Sequence, residues 1–303
     1  LGESLRQVHS SINEEELHPI RQRKTPAGHK SRGNEIMTMP FFRRAFLGLA
    51  GIAALSVASA GSASAAALAV GSYPSNPPFE YKTATGTFEG FEVDIVNEVA
   101  KRLGMTVEIS DLGFQALFAA TASKRIDVAI SSITITKERL GSQSFTQAYY
   151  DADMGIATRK EATVSKVEDL KGKVVGVLAG STGDKWAKDN KEKYGITDIK
   201  SYNAQQDLLM DLSAGRADVA VSDVPGMEYA FLKMKDLAVK VRIKTGEQYG
   251  LMMSKDHPLL AKANDAITAM KKDGTLAAIH KKWFGSDPAA GSASAVEQPL
   301  PKL

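Results

Sequence analysis

Cysteine is absent from all 303 residues. That excludes a disulfide framework, thiolate catalysis and any metal site built on thiolates. The fold must rest on its hydrophobic core, and 43% hydrophobic residues is enough for one or two ordinary domains. Also lacking is a convincing membrane span: the apolar run from Ala45 to Ala58 is too short and too rich in Ala and Gly. Charge of one sign is lacking as well, once the N-terminal part is set aside. Residues 1–65 hold eight of the 38 basic and five of the 35 acidic side chains, leaving 30 of each. The balance gives no case for nucleic acid or an anionic membrane as partner. No internal repeat is visible.

What is present begins with a processing signal. Residues 1–36 are polar and unpatterned and start with Leu, so they read as a disordered or upstream extension. Residues 37–65 read as a secretory signal peptide. Arg43-Arg44 supplies the charged end, Ala45 to Ala58 the apolar run, and Ala63-Ser64-Ala65 the small-residue cleavage site. The same arginines fit the general or the twin-arginine export route. The expected location is the periplasm, with a mature chain starting near Ala66.

From Ala67 onward strand and helix patterns alternate. Ala67–Gly71 and Thr106–Ile109 read as strands. Phe91, Ile95, Val96, Val99 and Leu103 share one helical face, and Gly104 follows as a stop. Phe114 to Ala122 reads as a helix and Asp127 to Ile133 as a strand. Further strands are expected at Lys173–Leu178, Ile199–Tyr202 and Asp218–Val221, with helices from Asp184 and over Asp207–Ala214. Two final helices cover about 258–272 and 275–284. This is an α/β pattern with largely parallel sheets. The Ala/Gly/Ser/Pro-rich stretch 286–303 is expected to be a disordered tail.

The stretch Asp127–Arg139, DVAISSITITKER, concentrates chemistry. A buried strand runs into Ser131, Ser132 and Thr134, hydroxyls that need partners. Thr136 suits a helix N-cap, which puts Arg139 in the first turn, where the helix dipole disfavours a cation. An arginine placed there is expected to face something negative. Gly180-Ser181-Thr182, between a strand and a helix, can offer backbone N–H groups to an anion. Each residue also has a plainer role: Arg139 as a solvated neighbour of Glu138, Ser181 and Thr182 as helix caps, Asp223 as a turn residue before Val224-Pro225, Phe114 as core.

The segments VGSYPSNPPFEY (70–81), GFEVDIVNEVAKRLG (90–104), DVAISSITITKER (127–139), VVGVLAGST (174–182), LSAGRADVAVSD (212–223) and DGTLAAIHKKWFG (273–285) occur in that order. Together they resemble the periplasmic amino-acid-binding proteins of ABC importers, extracellular solute-binding family 3, over about residues 67–285. The resemblance implies a two-lobed periplasmic-binding-protein fold of type II, with two mixed, mostly parallel sheets joined by two hinge strands. It implies a discontinuous first lobe, 66–154 plus 246–285, and a second lobe, 155–245, closing on an L-amino acid. It places the carboxylate-binding arginine on Arg139, assisted by the backbone of Thr134 and Thr182. The ammonium-binding aspartate falls on Asp223, with the Ser132 carbonyl and the Thr134 hydroxyl. Phe114 becomes the aromatic that packs on the ligand side chain. One cation and one anion suit a zwitterion, and a planar guanidinium suits a carboxylate.

Departures from the family pattern bear on the substrate. Ser72 and Tyr73 stand where binders of cationic amino acids carry an acidic residue, and the motif reads Asn76-Pro77-Pro78-Phe79. Tyr73 is expected to serve as aromatic wall and Asn76 to bond a polar side chain, which favours a neutral polar ligand such as glutamine. The implied partners are an inner-membrane permease and its ATPase. The chain is expected to be a monomer without cofactor, metal or nucleic acid. The alternative is an enzyme similar to the cyclohexadienyl dehydratases, which share the family. That would need a general acid and base, and no spare carboxylate is expected in the cleft. His257 and His280 are expected on the surface.

Overall fold

Four clusters of buried side chains organise the computed structural model, which describes residues 65–303. The extension 1–36 and, but for Ala65, the signal peptide 37–65 lie outside the described residues. In chain order the first part holds strands β1 (Ala67–Ser72), β2 (Ser75–Asn76), β3 (Glu80–Lys82), β4 (Phe88–Glu89), β5 (Thr106–Asp111), β6 (Val128–Ile130) and β7 (Gln143–Phe145). Then follow β8 (Tyr150–Arg159), β9 (Val174–Leu178), β10 (Asp198–Tyr202), β11 (Val219–Asp223), β12 (Leu237–Tyr249) and β13 (Met252–Ser254). One sheet has the order β5-β1-β6-β13-β7, the other β10-β9-β11-β8-β12, and β2-β3-β4 form a small third sheet.

Both large sheets are mixed. β1 pairs in parallel with β5 and β6, and β9 with β10 and β11, each through a helical crossover. β8 and β12 run antiparallel to each other from Tyr150↔Tyr249 to Leu237↔Arg159, with a register break between Ile243 and Glu247. These long strands connect the two lobes, and the expected lobe boundaries at 154/155 and 245/246 fall within them.

Local sequence explains the first lobe's largest core. Helix Phe91–Arg102 buries Phe91, Ile95, Val96 and Val99 against Leu68, Val70 and Val128. Each such side chain contributes roughly 1.5–3 kcal/mol on burial. Gly104 at φ +69 ends the helix in the left-handed region, which costs glycine nothing. Phe79 sits among Phe91, Tyr150, Tyr249 and Phe284, edge to face with the first three. Among the described residues no helix is long and apolar enough to cross a membrane.

Three expectations are corrected. The tail 286–303 is ordered: Ala293 is 1% exposed, its N–H donates to Asp151 Oδ2 at 2.7 Å, and Ser294 Oγ donates to the Tyr149 carbonyl at 2.7 Å. Its small residues read as disorder, yet they let backbone and hydroxyl groups approach polar acceptors on β8 and the chain before it. His257 is buried, 8% exposed, with Nε2 3.3 Å from Asp127 Oδ1, and His280 packs among Phe91, Tyr150 and Phe284. His257 is thus buried and His280 half-buried, because both cover polar or aromatic groups of the first lobe. The strand expected over Asp127–Ile133 stops at Ile130, since Ser132 turns into the left-handed region at φ +49.

Candidate functional site

The turn after β6 builds one wall. Ser131, Ser132 and Thr134 are all buried. Ser131 Oγ accepts the Tyr73 N–H at 2.8 Å, and Ser132 Oγ accepts Asn76 Nδ2 at 2.9 Å. Thr136 caps helix Lys137–Ser142, its Oγ1 accepting the Arg139 N–H at 3.1 Å. The Arg139 side chain turns back from that first turn. Nη1 donates to the Thr134 carbonyl at 2.8 Å and Nη2 to the Gly180 carbonyl of the other lobe at 3.2 Å. The guanidinium also lies 5.0 Å from the Phe118 ring and 5.9 Å from Phe114. Burial pulls its pKa below the ordinary arginine value, and Asp223, Glu247 and Glu138 pull the other way.

The second wall comes from β9 and β11. Ser181 caps helix Thr182–Asp189 by accepting the Asp184 N–H at 3.0 Å, so the plainer capping role holds for its hydroxyl. The Gly180 N–H is taken by Asp184 Oδ2 and the Ser181 N–H by the Leu178 carbonyl. An anion is therefore left the N–H groups of Thr182 and Gly183 in the first turn. Asp223 ends β11 at the N-cap of helix Val224–Ala230, yet its carboxylate makes no capping bond. Instead Oδ2 accepts the Tyr249 hydroxyl at 2.6 Å. Burial raises its pKa, while the Tyr249 bond and the Arg139 charge hold it down.

All nine residues expected from the sequence line one cleft, with a cavity of about 40 Å³: Tyr73, Asn76, Phe114, Ser132, Thr134, Arg139, Ser181, Thr182 and Asp223. Tyr73 and Phe114 meet edge to face, 6.4 Å between ring centres. The Tyr73 hydroxyl reaches across and accepts the Gln205 N–H at 2.7 Å. Gly226 completes this end. A Cβ there would lie 2.7 Å from Asn76 Oδ1, so a larger residue would push the Asn76 amide aside.

Sequence reasoning missed four residues. Gln205 and Ser222 line the cleft, joined by Gln205 Nε2 donating to Ser222 Oγ at 3.1 Å. Tyr249 holds Asp223. Glu247 lies two residues before Tyr249 on β12, and burial, then Asp223, lift its pKa to about 7 against the Thr182 hydroxyl and Arg139. Glu247 does not line the cleft itself but a neighbouring cavity, with Tyr150, Glu228 and Arg242. The spacing of two between Glu247 and Tyr249 was the available signal, since it places both on one face of a strand.

Three comparisons bear on this arrangement. The sequence pattern of the bacterial extracellular solute-binding proteins, family 3, matches residues 68–286. The L-cystine-binding protein TcyJ of Escherichia coli is 35% identical over 224 residues, covering 73% of this chain and 83% of that protein. The L-arginine-binding protein of Pseudomonas aeruginosa is 36% identical over 228 residues, covering 72% and 88%. Among solved structures, an ancestral arginine-binding protein bound to arginine superposes with a TM-score of 0.69 at 34% identity, covering 72% of this chain and 98% of that one.

Proposed function

We propose that this chain, which belongs to the bacterial extracellular solute-binding proteins of family 3, captures a free L-amino acid between its lobes and delivers it to an ATPase-driven permease. The observation that carries the reading is the pair Arg139 and Asp223, one cation and one anion lining a single cleft beside the N-terminus of helix Thr182–Asp189. Arg139 and the free N–H groups of Thr182 and Gly183 receive the α-carboxylate; Asp223 receives the α-ammonium. Only the closed arrangement offers both walls at once, so ligand favours closure.

The side-chain end favours a neutral polar ligand. It is bounded by Asn76, Gln205, Ser222 and Tyr73, amides and hydroxyls without a carboxylate. Gln205 Oε1 is a buried acceptor with no partner among the described residues, which a ligand N–H would satisfy. Glutamine offers that donor without bringing a charge that needs compensation. Relatives named for L-cystine and L-arginine set the competitors. The protein acts as a monomer in the periplasm, without a cofactor.

Calorimetry of the mature protein with L-glutamine, L-arginine, L-histidine and L-cystine tests this, alongside mass spectrometry of any co-purifying molecule. L-glutamine is expected to bind tightest; tightest binding of L-arginine would overturn the side-chain assignment but not the amino-acid reading. Glu247, titrating near neutral beside the cleft, is the one observation that favours the dehydratase alternative. Turnover of prephenate or arogenate would establish that alternative, and none is expected.

A further inference from the structure

Behind the cleft lie two carboxyl groups with no part in the site described so far. Glu80 on β3 and Glu92 in the first turn of helix Phe91–Arg102 are both fully buried. Glu92 accepts twice: from the Tyr149 hydroxyl at Oε1, 2.5 Å, and from the Ser132 N–H at Oε2, 2.9 Å. Neither Glu80 oxygen has such a donor among the described residues. Two neighbouring carboxylates do not both stay ionised in an apolar interior. Glu92 has the donors and the favourable end of a helix dipole, so it keeps the charge and Glu80 keeps the proton. Burial raises both pKa values, Glu80 well above its ordinary value because Glu92 sits beside it.

The contact with Ser132 gives this pair a consequence. Ser132 holds φ +49, a left-handed conformation that is strained for a non-glycine residue. Its hydroxyl is engaged by Asn76 and its N–H by Glu92, while its neighbour Ser131 is engaged by Tyr73. Both serines line the cleft. The strained turn is therefore held from inside the lobe by one ionised acid.

We propose that Glu92 is a positioning residue for ligand binding: through the Ser132 N–H it fixes the Ser131–Ser132 turn and sets a buried negative charge behind that part of the cleft, where it favours the ligand's ammonium. Glu80, as a neutral acid, keeps Glu92 in place, and an amide can do the same. This inference rests on the amino-acid reading above, and its test separates the two.

The experiment compares wild type, Glu92→Gln and Glu80→Gln by titration with L-glutamine and with its methyl ester, and by the Ser132 amide resonance of the unliganded proteins. Glu92→Gln is expected to weaken L-glutamine about tenfold, the scale of a hydrogen bond to a charged group. It should also move the Ser132 resonance upfield, and leave the ratio of ester to free-acid affinity unchanged, because that ratio reports on Arg139. Glu80→Gln, which keeps a neutral group of the same shape beside Glu92, should stay within about threefold of wild type with the resonance in place. Wild-type affinity in Glu92→Gln, an unmoved resonance, or an equal loss in Glu80→Gln would overturn the proposal. Should Glu92→Gln not fold, Tyr149→Phe replaces it. Losing one of two donors to Glu92 should shift the Ser132 resonance and weaken binding, and no change in either would overturn the role. If wild type binds none of the amino acids tested, the proposed function falls. The Ser132 resonance alone then decides: moved by Glu92→Gln and not by Glu80→Gln supports positioning, any other pattern overturns it.

Discussion

The two walls of the cleft are built differently. On the first, Ser131, Ser132 and Thr134 are buried, and their polar groups are engaged from within their own lobe by Tyr73, Asn76, Glu92 and Arg139. On the second, Ser181, Thr182, Gln205, Ser222 and Asp223 are only partly buried. Two of the second wall's polar groups find partners across the gap: the Gln205 N–H on Tyr73 and the Gly180 carbonyl on Arg139. The first wall is thus held largely from within its own lobe, whereas the second leans on the first for part of its hydrogen bonding. Preorganisation on one side lowers the ordering cost of binding, and dependence on closure on the other links binding to motion.

The largest effect that tests this contrast comes from the two charges, one rooted on each wall. Arg139→Met and Asp223→Asn should each cost roughly 2–5 kcal/mol of ligand binding, as when a buried charge pair loses one member. That is on the order of 30-fold to 3000-fold in Kd. Without ligand the two should differ. Arg139→Met also gives up the hydrogen bond to the Thr134 carbonyl of its own lobe, costing about 1 kcal/mol of stability. Asp223→Asn keeps an oxygen for the Tyr249 hydroxyl and relieves a buried charge, so the free protein should hardly change. Calorimetry with L-glutamine and thermal unfolding measure both; near-wild-type affinity in both variants would mean that these residues do not bind the ligand's charges.

The same contrast explains what the sequence disclosed. The helices were legible because apolar side chains recur at helical spacing: Phe114–Ala122 and Thr275–Phe284 end where that periodicity ends. The nine cleft residues were named chiefly through the family resemblance of short, ordered segments; read alone, Asp223 was a turn residue and Phe114 core. Strands of two or three residues, such as β2 and β7, are too short to show any period. What remained hidden was long-range pairing. Tyr73 meets Gln205 132 positions away, Asp223 meets Tyr249 26 away, and Ser132 meets Glu92 40 away. The tail misled because composition reports side chains, whereas Ala293 and Ser294 dock through a backbone N–H and a hydroxyl.

An intermediate effect is expected from Glu247, on the strand that connects the lobes. Burial and Asp223 raise its pKa to about 7 in the folded protein, above the ordinary value of an unfolded chain. The folded state therefore binds this proton more tightly. The stability that follows is complete below the unfolded value and is lost as pH rises through 7. Asp223, Arg139, Asp153 and Thr182 face the group, so the comparison must be with a variant that leaves them in place. Glu247→Gln should match wild type near pH 4 and exceed it by roughly 1–3 kcal/mol at pH 8, where the wild-type carboxylate is ionised. Denaturant titrations of unliganded protein at both pH values decide it; an identical pH slope in variant and wild type would remove Glu247 from the set of strained groups.

The smallest effect isolates closure itself. Tyr73 belongs to the first wall by its ring and to the second by its hydroxyl, which accepts the N–H of Gln205 at the start of helix Gln205–Ser213. That helix has Ala204 at its N-cap, so no side chain of its own lobe serves the purpose. Tyr73 Oη takes the place of a cap, and only when the lobes meet. In Tyr73→Phe the ring keeps its edge contact with Phe114, and the Gln205 N–H returns to water whenever the lid opens. Stability of the free, open protein should therefore be unchanged. Ligand affinity should fall by about 0.5–1.5 kcal/mol, roughly 2- to 10-fold, the net worth of one hydrogen bond. The loss should lie in faster dissociation, because the bond forms after the ligand has met the first wall. Stopped-flow release of L-glutamine together with scattering from free protein measures both halves of the argument. Slower association at unchanged dissociation would assign Tyr73 to the receptor alone, and a destabilised free protein would make it part of the lobe core.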